Sequence, residues 1–121
     1  MPEMTASTPL LDPSLVEEIK QVERMTGKQG LFAGFVRKLE EDVAAFGTVF
    51  ASAVAQGDST AAARAAHKLK GASRQLGAAA LGDLFAEIEH LAKAGNPVEG
   101  QGKFEAASEL ISQSLDALRR A

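Results

Sequence analysis

Apolar residues recur along this chain at three- and four-residue intervals. They do not alternate with polar ones, and β-branched residues never cluster. Together with abundant alanine, this pattern predicts helices rather than sheet. The first eleven residues, with Pro2 and Pro9 among Thr and Ser, read as a loose lead-in. Asp12-Pro13 then supplies an N-cap followed by proline at the first helical position, and Gly27 ends a short helix carrying Leu15, Ile19 and Val22. A second, long helix starts at Leu31. Its apolar positions Phe32, Phe35, Val36, Leu39, Val43, Phe46, Val49, Phe50, Ala53 and Val54 fall in an arc of about 140°, with Asp42 an oddity inside it. Gln56-Gly57 closes that helix, and Asp58 caps a third that runs to Leu76 and stops at Gly77. A fourth runs from Ala79 to Ala94 with Leu81, Leu84, Phe85, Ile88 and Leu91 as its stripe. Gly95-Asn96-Pro97, prolonged by Gly100 and Gly102, reads as a loop. The last helix carries Phe104, Ile111, Leu115 and Leu118 and ends in Arg119-Arg120. The expected fold is all-α: an antiparallel up-and-down four-helix bundle over residues 12–121, with the short N-terminal helix packed across one end.

Composition narrows the chemistry. At 121 residues the chain has room for one domain, and with 45% apolar residues it can bury a core without a metal or disulfide staple. The absence of cysteine removes disulfides, thiol nucleophiles and cysteine-ligated zinc. A net charge of −3, with no Trp or Tyr, argues against nucleic-acid binding. No apolar run approaches the ~20 residues of a membrane span, and no signal peptide is visible, so a cytoplasmic location is expected. Met1 and the loose lead-in favour a freestanding protein.

The third helix carries the candidate chemistry. With His67 at 0°, Ala65, Leu69, Ala72 and Leu76 fall at about 140–200°, the expected buried face. Thr60, Ala63, Arg64, Lys70, Gly71 and Arg74 fall within about 60° of the histidine. His67 is therefore expected to be a solvent-accessible imidazole flanked by three cations. An isolated surface histidine is ordinarily inert, but two features set this one apart. Neighbouring cations oppose its protonation yet suit an anion bound at the ring. Gly71 costs about 1 kcal/mol of helix stability relative to alanine, which a close approach by another molecule would explain. His90 is the control: it has Glu87 and Glu89 nearby, no cation cluster and no local glycine, and reads as a plain surface residue. An exposed neutral imidazole is a competent nucleophile toward phosphorus, and Lys70, one turn on, can offset phosphoryl charge. The face holds no metal-binding carboxylate cluster and no phosphate-binding glycine loop, so a partner must complete the chemistry.

The string His67-Lys68-Leu69-Lys70-Gly71-Ala72-Ser73-Arg74-Gln75-Leu76-Gly77 resembles the signature of histidine-containing phosphotransfer domains of two-component phosphorelays, roughly H-x-L-K-G-[SA]-[SA]-x-x-L-G, at every fixed position. Gln56-Gly57-Asp58, Ile88-Glu89 and the opening Leu11-Asp12-Pro13 fit as well, so the resemblance spans residues from about 11 to 121. It implies a helical bundle that carries phosphate on the outer ring nitrogen of His67. Receiver-domain aspartates, or a hybrid histidine kinase, would be donor and acceptor. It further implies that Lys70 assists the phosphoryl group and that Gly71 leaves room for the partner. Glu89 stands where relatives have a polar residue able to contact the imidazole from the next helix. Arg64 and Arg74 are candidate partner contacts, against the ordinary reading of charged helix faces as merely solvated, and Lys68 is a solubility residue. The chain is expected to be a phosphoryl carrier without independent catalysis and a monomer. It needs no cofactor or metal of its own, the Mg2+ belonging to the receiver. The competing reading is a non-phosphorylated bundle that docks receivers. A metalloenzyme is disfavoured because His67 and His90 are the only histidines.

Overall fold

The computed structural model describes residues 8–121, and among them every regular element is a helix. Asp12 and Pro13 start α1 (Pro13–Thr26) as their order predicts: the Asp12 carboxylate accepts the Ser14 N–H at 3.0 Å, and Gly27 ends the helix with a left-handed φ of 70°. The helices α2 (Leu31–Ala55), α3 (Ser59–Gln75) and α4 (Ala79–Lys93) follow, joined by short turns of three or four residues. The α2 N-terminus takes its cap from another helix, since Glu23 of α1 accepts the Phe32 N–H at 2.8 Å. Asp58 caps α3 through the Ala61 N–H at 3.0 Å.

The buried stripe of α2 is narrower than its apolar pattern predicts. Phe32, Val36, Leu39, Val43, Phe46, Phe50 and Ala53 are buried, in strict four–three alternation. Phe35 and Val49, on the flanks, are 46% and 53% exposed. Phe46 sits at the centre of an aromatic cluster, with ring centroids 5.2 Å from Phe50, 5.0 Å from Phe85 and 4.8 Å from Phe104. Asp42 lies at the rim of the stripe and pairs with Lys38 at 3.1 Å, which accounts for a carboxylate inside an apolar arc.

The chain departs from expectation after α4. The expected loop through Gly102 is instead a helix, α5 (Pro97–Ala106), separated from α6 (Ser108–Arg120) by Ala107. Pro97 takes the first helical position, which its ring favours. Gly100 is the close-contact point: a Cβ there would come within 3.2 Å of the Phe50 ring and 3.3 Å of the Ile88 side chain. Gly100, which looks like a loop residue, thus lets α5 lie against α2 and α4. Helix α6 then packs against α2 and α4 through Ile111, Leu115 and Leu118.

Of the expected lead-in, residues 1–7 lie outside the described residues, while Thr8–Leu11 lie against the α3–α4 turn. The Ala80 N–H donates to the Pro9 carbonyl at 3.1 Å and the Asp12 N–H to the Gly77 carbonyl at 2.7 Å. Among the described residues, packing against the bundle thus includes Pro9 as well as Asp12. Gly77 is demanded twice over, by a φ of 82° and by the Asp12 carbonyl, which would stand 3.0 Å from any Cβ. This turn fixes how α3 and α4 align, and that alignment builds the site.

Candidate functional site

The helix pair α3–α4 is the most closely packed in the molecule, because small residues line the α3 side. Ala62, Ala63, Ala66, Leu69 and Ser73 are buried there. The buried face of α3 is consequently turned by roughly 60° from the one its leucines and alanines predict, toward α4. Ala63 leaves the solvent side, Lys70 becomes half-buried, and His67 is left at the rim with 65% of its side chain exposed.

From α4, Glu89 meets this rim. Its carboxylate is buried, and its two oxygens collect three partners. Oε2 lies 2.9 Å from His67 Nδ1 and 3.0 Å from Lys93 Nζ, and Oε1 lies 2.6 Å from Lys70 Nζ. Burial pushes the Glu89 carboxyl up, but the hydrogen bonds from Lys70, Lys93 and His67 outweigh it and hold the group down from an ordinary 4.5 to about 2. Glu89 is thus a carboxylate at neutral pH. A carboxylate facing Nδ1 places the proton of a neutral ring on that nitrogen, so the lone pair lies on Nε2, across the ring on the exposed side. The fold therefore selects the tautomer of the neutral ring and the nitrogen that carries its lone pair.

Other sequence-derived candidates fall into place unequally. Arg64 is exposed and lines a hollow of about 400 Å³ with Ser59, Thr60, Ala63, His67 and Lys93. Gly71 faces open space, since a Cβ added there meets nothing within 4 Å. Arg74 is not brought to the ring. It stands two turns along α3, lays its aliphatic stem over Gly82 and directs its guanidinium to Asp83 at 3.4 Å. His90 is exposed. Lys93 is the residue that the α3 pattern misses, and the signal for it was its i,i+4 spacing from Glu89. Among the described residues no group of three His, Cys, Asp or Glu side chains could hold a metal ion, and no helix is long and apolar enough to cross a membrane.

The openness around Gly71 separates folding from docking. Gly71→Ala is expected to raise stability by about 0.5–1 kcal/mol, since it removes a helix-interior glycine without creating a clash. The same change is expected to slow any reaction in which a partner closes over His67. Thermal unfolding and a transfer assay on the one variant test this, and a loss of stability would show that the glycine serves the fold instead.

A comparison with protein-family models matches residues 30–121 to the Hpt domain. The comparisons with curated proteins and with solved structures returned no match.

Proposed function

The chain belongs to the Hpt domain family, whose members act in histidine phosphotransfer in two-component signalling as carriers rather than catalysts, and on that premise we propose that it is a phosphorelay intermediate. His67 accepts a phosphoryl group from a receiver-domain aspartate, or from a histidine kinase, and passes it to the aspartate of another receiver. The observation that carries this reading is the ring itself: Nδ1 faces a buried carboxylate at 2.9 Å, while the side chain remains 65% exposed.

The Nε2 lone pair attacks the phosphorus of the acyl phosphate, forming the N–P bond. The P–O bond to the aspartate breaks, and its electron pair stays on the departing carboxylate oxygen. The attack makes the ring cationic, and Glu89 stabilises that charge from the Nδ1 side. With its carboxyl held near 2, Glu89 is too weak a base to keep the proton. The phosphorylated ring therefore stays a good leaving group, and onward transfer is the same step in reverse. Lys70 offsets phosphoryl charge, while Gly71 and Arg64 belong to the surface the receiver covers. The up-and-down bundle, a monomeric state, a cytoplasmic location and dependence on Mg2+ held by the receiver complete the reading.

Incubation with the phosphorylated receivers of the source organism is expected to label this protein with acid-labile phosphate. Failure of every receiver and kinase to label it would overturn the reading. Lys70→Ala is expected to slow transfer by about tenfold, the equivalent of one charge-assisted hydrogen bond, without unfolding the protein. An unchanged rate in rapid-quench measurements would reduce Lys70 to a structural partner of Glu89.

A further inference from the structure

Helix α1 is held to the bundle differently at its two ends. Before it, the segment from Thr8 to Asp12 is fastened to the α3–α4 turn and the first turn of α4 by three hydrogen bonds. The Thr8 hydroxyl donates to Asp83 Oδ2 at 2.5 Å, the Ala80 N–H to the Pro9 carbonyl at 3.1 Å and the Asp12 N–H to the Gly77 carbonyl at 2.7 Å. After it, the chain turns through Gly27 and Gly30, left-handed at φ 70° and 78°, and a Cβ at either would meet nothing within 4 Å. Two uncrowded glycines at the boundary of an element can absorb a large change in backbone angle. The contact of Glu23 with the Phe32 N–H, at 2.8 Å, lies beside this turn and ties α1 near the pivot rather than along its length.

Between these ends α1 is lightly packed. Val16 is its one buried side chain, Ile19 is half-buried, and Leu15, Val22 and Met25 are exposed. Beside Ile19 a hollow of about 240 Å³ remains, walled by Phe35 and Leu39 of α2 and by Ala72 and Leu76 of α3. The packing therefore does not close where α1 meets this apolar face. The family match begins at residue 30, after α1, so the helix and its fastening are additions to the matched region.

We propose that α1 is a hinged lid. It pivots on the turn from Gly27 to Gly30, is latched to the α3–α4 turn through Thr8, Pro9 and Asp12, and when unlatched uncovers the α2–α3 face around Phe35, Leu39, Ala72 and Leu76. A 14-residue helix is marginal on its own, so α1 melts as it leaves and its amides exchange together. The regulation this allows rests on the relay reading: the face adjoins Gly71, so the latched lid holds back the receiver that would cover it.

Hydrogen exchange of the intact chain, read residue by residue by NMR, tests the lid without a receiver. The amides of α1 and the latch amide of Ala80 are expected to share one opening equilibrium, at least about a hundredfold more favourable than that of α3. Thr8→Val keeps the shape of the side chain and removes the donor to Asp83. It is expected to raise exchange across α1 and at Ala80 by about tenfold, the equivalent of one charge-assisted hydrogen bond, and to leave α3 unchanged. Thr48→Val, on the exposed side of α2, should alter none of these rates. Exchange graded inward from Pro13, as in simple fraying, opening of α1 together with α3, or no response to Thr8→Val would each overturn the lid. Phosphoryl transfer from a receiver is expected to be faster to Thr8→Val than to the parent, by up to the same tenfold. An unchanged transfer rate, with the exchange shift present, would overturn the regulation. Transfer to neither protein would remove the relay reading and the regulation with it, while exchange still decides the lid.

Discussion

Replacing His67 by glutamine is expected to abolish phosphoryl labelling completely while leaving the fold intact. The side chain is 65% exposed and its one polar contact is with Glu89, so glutamine can occupy the same rim and offer its amide N–H to the carboxylate. Glutamine has no ring nitrogen with a free lone pair, and no other group on this face of α3 can replace it: Lys70 is held by Glu89, and the other histidine, His90, is on α4 outside the cluster. Thermal unfolding should be shifted by no more than a few degrees, and binding to a receiver should survive. The experiment thereby separates carriage of phosphate from docking. A His67→Gln protein that still acquires acid-labile phosphate would place the acceptor elsewhere and end the assignment.

The second large effect is expected at Glu89, where stability and transfer should fall together. Glu89→Ala leaves the half-buried Lys70 ammonium without its partner at 2.6 Å and releases the imidazole from its tautomer. A loss on the order of 2 to 3 kcal/mol is expected from the lowered carboxyl, discounted because Lys93 and His67 are largely exposed. Transfer should slow by more than tenfold. Glu89→Gln separates the two roles, because its carbonyl can still accept the Nδ1 proton while its charge is gone.

The pH dependence follows from the direction of the shift. The unfolded carboxyl takes up its proton near 4.5, the folded one only near 2, so on acidification the unfolded chain binds the proton first. The contribution of Glu89 is therefore complete above about pH 5, declines as the pH falls through 4.5 and is lost below about 2. Urea unfolding at a series of pH values should show the parent's advantage over Glu89→Gln shrinking across that window. A difference that stays constant from pH 7 to pH 2 would mean that the carboxylate is not held by these cations.

Much of the architecture was legible along the chain because helices are local. Asp12-Pro13, Gly27, Asp58 and Gly77 act on neighbouring backbone groups, and each starts or stops a helix where its chemistry requires. The exposure of His67 was legible for the same reason, since it depends on its angle from the leucines of its own helix. What the periodicity did not carry was the width and rotation of the buried faces. The apolar pattern counted Phe35 and Val49 with the core of α2, yet the neighbours of that helix cover only the alternating stripe from Phe32 to Ala53. Gly100 looked like a loop residue, because the contact that makes a glycine useful there is with Phe50 and Ile88, dozens of residues away in one case.

The site divides along the same line. Helical periodicity alone puts an imidazole, a lysine one turn on and a glycine on one helix face, because 100° per residue leaves no other arrangement. What those groups do to one another depends on how α3 packs against α4. That packing turned α3 toward α4, buried Glu89, drew Lys70 and Lys93 onto one carboxylate and sent Arg74 away to Asp83. The reason is that ionic and hydrogen-bonding partners here are chosen by the packing of alanines and a serine between two helices. That choice depends on the shape of both surfaces together and is written in neither helix alone.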